Sequence, residues 1–154
     1  MADYFLDSSA LVKRYVSEIG SSWVINLFDP AGSNEIFIAV ITGVEIIAAI
    51  TRRARGRTIA AADAAAACNQ FRTDCLSDYQ VVEVQESLLQ EALSLAETYG
   101  LRGYDAVQLA AGCQVNHLCV GSGLPPIIFI SADSELNAAA VQEGLLVDNP
   151  HLHP

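Results

Sequence analysis

Tyr4-Phe5-Leu6-Asp7-Ser8-Ser9 decides the fold, because three apolar residues end abruptly on an aspartate and two serines. A short apolar run closed by helix-capping residues reads as a buried strand that feeds directly into a helix, here Ala10 to Ser17. The same pattern recurs down the chain. Ile36-Phe37-Ile38-Ala39-Val40 is continuous and β-branched, a second buried strand, and the helix expected from Thr42 to Arg55 follows it and stops at Gly56. Residues 80–84 predict a third strand, Ile127-Ile128-Phe129-Ile130 a fourth and Leu145-Leu146-Val147 a short fifth.

Helical segments fill the intervals. Ser21 opens one with Trp23, Val24, Leu27 and Phe28 on a single face, closed by Asp29-Pro30. An alanine-rich stretch from Thr58 to about Ser77 predicts another, since alanine has the best helix propensity. Leu88 to Gly100, Tyr104 to His117 and Ser134 to Gln142 keep helical spacing, and residues 118–126 read as a long turn-rich loop before the fourth strand. Strands alternating with helices predict a parallel sheet covered on both faces, an α/β fold of the three-layer α/β/α sandwich type. Residues 1–150 read as a single domain and 151–154 as a short tail.

Composition narrows the class. The chain is 52% apolar, yet no run approaches the roughly 18 apolar residues of a membrane span, and the N-terminus lacks the basic region of a secretory signal. A cytoplasmic protein is expected. Cys68, Cys75, Cys113 and Cys119 form no CxxC pair and read as free thiols, while His117, His151 and His153 have no metal-ligand frame. The net charge of −10 runs against the basic footprint of nucleic-acid binders. The few cations are clustered, however: Lys13, Arg14, Arg52, Arg53, Arg55 and Arg57 either contact substrate phosphates or form a solvated helix surface.

The carboxylates carry the chemistry. Asp7 ends the first strand, Glu45 stands in the first turn after the second, Asp133 lies three residues past Ile130, and Asp105 opens the helix after Arg102-Gly103-Tyr104. Parallel strands place Asp7, Glu45 and Asp133 at one edge of the sheet, where α/β folds bind ligands, and Asp105 joins them if its helix starts there. Helix capping explains each residue singly: Thr42-Gly43-Val44-Glu45 and Asp105-Ala106-Val107-Gln108 both fit a capping box. Four converging carboxylates would repel one another without a cation, and Mg2+ or Mn2+ suits an all-oxygen site that acts on phosphoryl groups.

At these residues the chain resembles PIN-domain nucleases, in particular the VapC-like ribonuclease toxins of toxin–antitoxin modules. The likeness runs through residues 4–13, 42–49, 102–111 and 129–140 in order. The resemblance implies a PIN-like sandwich, RNA phosphodiester cleavage with Mg2+ or Mn2+, a homodimer and a small antitoxin partner. It assigns Asp7, Glu45, Asp105 and Asp133 as metal ligands, and Ser8 and Ser131 as supporting hydroxyls. Two alternatives remain from the residues alone. One is an α/β phosphatase with Asp7 as nucleophile, which lacks the second aspartate because Ser9 stands two positions on. The other is a non-catalytic binding protein on the same fold.

Overall fold

Five strands, β1 (Asp3–Leu6), β2 (Glu35–Ala39), β3 (Gln80–Val82), β4 (Ile128–Ile130) and β5 (Leu146–Asp148), pair in the order β3-β2-β1-β4-β5. Every pairing is parallel, and Phe5 lies in register with both Phe37 and Phe129. The computed structural model describes residues 1–154.

Side chains alternate across the sheet, so the apolar runs supply two cores at once. Leu6, Ile36, Ile38 and Ile130 belong to one face. That face is covered by α1 (Ser8–Leu11) with the 3-10 turn Val12–Arg14, α2 (Ser21–Asn26), α3 (Thr42–Arg55) and α4 (Ala61–Asp74). Phe5, Ala39 and Phe129 belong to the other, under α5 (Glu86–Tyr99), α6 (Gly103–Gly121) and α7 (Ser134–Gln142). Phe5 and Phe129 stack with centroids 5.5 Å apart. Helix α6 lies directly on them at Gly112, where a Cβ would approach Phe129 Cδ2 to 2.7 Å. Only glycine permits that approach.

The three-layer sandwich and all five strands match the sequence reading, with element ends shifted by a few residues and three differences that change the packing. The first helix is short and tightens into its 3-10 turn by Arg14. Helix α6 continues to Gly121 rather than ending near His117, because Cys119 still belongs to the buried core on that face. The predicted loop is therefore only its second half. At the other end Pro150–Leu152 forms a 3-10 turn, and the His153 ring stacks on Trp23 at 4.2 Å while its Nε2 meets Asp148 at 2.9 Å. Of the four residues read as a tail, His151 and His153 have partners on the domain.

Chain path then positions the site. From β1 the chain moves outward through β2 to β3, then returns over the opposite face through α5 and α6 to place β4 on the other side of β1. This reversal opens a crevice beyond the carboxyl ends of β1 and β4, the place where open α/β sheets bind ligands.

Candidate active site

Asp7 stands at that crevice. Its backbone N–H donates to the Ile130 carbonyl at 3.1 Å, tying the end of β1 to the end of β4. Its carboxylate caps α1 by accepting from the Ala10 N–H at 2.9 Å. Two hydroxyls complete its shell: Ser9 Oγ at 2.7 Å from Oδ1 and Ser131 Oγ at 2.7 Å from Oδ2. Those hydroxyls in turn accept from the Ala132 and Asp133 backbone N–H groups at 2.9 and 3.0 Å. A relay thus runs from the loop after β4, through Ser9 and Ser131, onto one carboxylate. Asp7 is 2% exposed. Burial pushes its carboxyl up to about 6, against the pull of Ser131, Ser9 and Ala10, and the charge of Asp105 adds to the rise.

Glu45 is held from two sides. Ser8 Oγ donates to Oε2 at 2.9 Å, and Gln108 Nε2 on α6 donates to Oε1 at 2.9 Å. The same Gln108 nitrogen donates to Thr42 Oγ1 at 2.9 Å. Neither expected capping box forms. The N-cap position of α3 is Ile41, with Thr42 buried and occupied by Gln108, and the N-cap of α6 is Arg102. Glu45 and Asp105 are thereby released from capping. Asp133 does cap α7, accepting from the Glu135 and Leu136 N–H groups at 2.8 and 3.0 Å. Asp105 is half-buried in the first turn of α6. Its carboxyl is raised by burial and then by the charges of Asp133 and Glu45, with no hydrogen bond among the causes.

Asp105 is the carboxylate that links the set: its charge adds to the rise of Asp7, and the charges of Asp133 and Glu45 add to its own. No three histidine, cysteine, aspartate or glutamate side chains are arranged to close on one metal ion, since Asp7, Glu45 and Asp133 are each held by their own donors. The donor chemistry nonetheless fits a hard divalent cation. The set is all oxygen, and a cation among Asp105, Asp133 and Glu45 would offset the repulsion that adds to the burial-driven rise of Asp105.

Ser9 and Gln108 are the supporting residues that sequence reasoning passed over. Gln108 stands three residues after Asp105, a spacing absorbed by the capping-box reading. A buried amide on the most apolar helix was the available signal, as it is 1% exposed.

The six basic residues divide. Lys13 is 3% exposed, with its ammonium 3.2 Å from both Glu18 Oε2 and His151 Nε2. Arg14 bonds Asp78 at 2.6 Å and stacks over Phe28 at 3.8 Å. Arg53 pairs with Glu18. These three are engaged by partners within the chain, whereas Arg52, Arg55 and Arg57 are exposed. Arg52 and Arg53 line a cleft of about 500 Å³ together with Ser8, Ser9, Glu45 and Tyr104. A separate cavity of about 580 Å³ between α5 and α6, bordered by Glu91, Cys113, His117 and Glu143, lies toward the other end of α6 from Asp105. Burial pushes the Cys113 thiol there up to about 12, so it stays protonated.

Sheet order and layering define a three-layer α/β/α protein with an acidic crevice beyond the carboxyl ends of β1 and β4. The chain belongs to the PIN-domain family, whose profile matches residues 4–119. It is similar to two ribonucleases of Mycobacterium tuberculosis, VapC45 from strain CDC 1551 / Oshkosh and VapC49 from strain H37Rv, each 29% identical over 150 residues that cover 97% of both chains. Its fold is also that of the toxin–antitoxin complex from Klebsiella pneumoniae, with a TM-score of 0.61 at 16% identity over 96% of this chain and 97% of that one.

Proposed function

We propose that the protein is a Mg2+- or Mn2+-dependent endoribonuclease and the toxin of a toxin–antitoxin pair. The observation that carries this is Asp7: a buried carboxylate, held by Ser9, Ser131 and the Ala10 amide at the β1–β4 crevice, and coupled in charge to Asp105. Membership of the PIN-domain family and the similarity to two proteins named as VapC ribonucleases support the substrate class. Asp7, Glu45, Asp105 and Asp133 would hold the ion. When bound, such an ion supplies charge neutralisation at the phosphate and a more acidic water.

The chain's own residues provide orientation. Ser9 and Ser131 fix the Asp7 carboxylate, and Ser8 and Gln108 fix Glu45 from opposite sides. Hydrolysis adds water across the phosphodiester, and the expected products carry 5′-phosphate and 3′-hydroxyl ends. Of the six clustered basic residues, the exposed Arg52, Arg55 and Arg57 are the ones free to meet substrate phosphates. A small antitoxin and a second copy of the chain are the expected partners. No helix is long and apolar enough to cross a membrane; a cytoplasmic site of action is part of the proposal.

Asp7 as a phosphatase nucleophile finds no support in the geometry. The chain's single lysine, Lys13, is turned to Glu18 and His151 instead of to Asp7. Incubating the chain with a structured RNA pool and Mn2+, beside EDTA and an Asp7→Asn/Asp105→Asn double variant, tests the proposal. Cleavage that needs the metal and disappears in the variant is expected. Cleavage that persists in the variant removes the site assignment.

A further inference from the structure

Of five phenylalanines, five tyrosines and one tryptophan, Tyr104 alone is exposed, with 60% of its surface open. It pairs with none of the stacked or edge-on rings of the cores. Exposing so large a ring gains nothing for folding. Its placement is specific, however. It is the second residue of α6, adjacent to Asp105, and it lines the cleft that holds Ser8, Ser9, Glu45 and Arg52. Helix α6 fixes its backbone, so the ring is presented at little ordering cost.

We infer that Tyr104 is the stacking platform that seats an unpaired base beside the carboxylates, with Arg52 on the same cleft taking a neighbouring phosphate. The inference rests on the ribonuclease reading and goes beyond it by naming the recognition element. Unpaired bases offer a free π-face to an aromatic side chain, whereas bases within a duplex are already stacked on both sides. The ring thus selects nucleotides that are splayed out, and it does so with tolerance for base identity, because every base has such a face. Charge selectivity comes from a different residue: a carboxylate-rich edge repels RNA, and Arg52 is the exposed cation within the cleft.

Fluorescence anisotropy with a labelled unpaired oligoribonucleotide of about 12 nucleotides, alone and annealed to its complement, tests this on the full chain. Tyr104→Ala is expected to weaken binding of the unpaired strand roughly 5- to 100-fold and to leave duplex binding unchanged. Tyr104→Phe and Tyr104→Trp are expected to retain wild-type binding, which a loss of folding would not allow. If Tyr104→Ala binds the unpaired strand as tightly as wild type, the stacking role is overturned and the ring is left to a protein partner. An equal loss in Tyr104→Ala and Tyr104→Phe also overturns it. Wild-type protein that neither binds nor cuts RNA overturns the ribonuclease reading and this inference together.

Discussion

The Ser131 hydroxyl, one residue past the end of β4, donates a 2.7 Å hydrogen bond to the Asp7 carboxylate, one residue past the end of β1. Two neighbouring parallel strands thus deliver a carboxylate and its donor to the same point. Ser131→Ala leaves Asp7 with one hydroxyl fewer and raises its carboxyl further, because the lost bond favoured the charged form. The midpoint of the pH–activity profile is expected to move upward, with a stability loss of about 1–3 kcal/mol at neutral pH. Ser131→Thr, which keeps the hydroxyl, should restore both. An unmoved pH profile in Ser131→Ala would show that the bond does not tune Asp7.

Asp7 itself sets a second pH dependence. Its carboxyl lies at about 6 in the fold against 3.8 for the free group, so the folded state holds its proton more tightly. Its contribution to stability is therefore greatest below about pH 3.8 and falls as pH rises through that window to about 6. Above the window the loss is about 3 kcal/mol. Asp7→Asn removes the ionisation, and without added metal its thermal midpoint should exceed that of wild type near neutrality. The two should converge toward about pH 4. A variant less stable than wild type at neutral pH would contradict this.

Gln108 holds Glu45 and Thr42 through one nitrogen, joining α6 to α3. Gln108→Ala is expected to lower Mn2+ affinity roughly 10- to 100-fold, as loss of a ligand's supporting hydrogen bond does. Calorimetric titration reads this directly, and unchanged affinity would leave Gln108 a purely structural amide.

At Gly112 the close approach of α6 to Phe129 leaves no room for a methyl group. Gly112→Ala should destabilise the fold by about 1–3 kcal/mol despite alanine's better helix propensity. Denaturant unfolding that shows a gain would mean the helix shifts without cost.

The fold was largely legible because β1 and β4 are short apolar runs that stop at Asp7 and Ser131, and the apolar run of β2 gives way to a helix at Thr42. The extension of α6 was hidden because Leu118 to Gly121 precede a glycine- and proline-rich turn, and only packing of Cys119 decides for helix. At the candidate site, what was readable is the placement of Asp7, Glu45, Asp105 and Asp133 after strands or at helix starts. What supports them was less so: Ser9 and Gln108 act across elements, and local capping patterns offered an equally good account of their neighbourhood. The basic residues were the least readable. Lys13 and Arg14 look like surface cations in sequence, but the 3-10 turn after α1 rotates them onto Glu18 and Asp78.

The central claim is that Asp105 and the three carboxylates Asp7, Glu45 and Asp133 share a divalent cation at the carboxyl edge of the sheet. Isothermal titration of Mn2+ into the full chain near neutral pH, beside the Asp7→Asn/Asp105→Asn variant, tests it most directly. The account predicts saturable binding by wild type that the double variant loses while remaining folded by circular dichroism. Absence of binding to wild type, or equal binding by the variant, would contradict it.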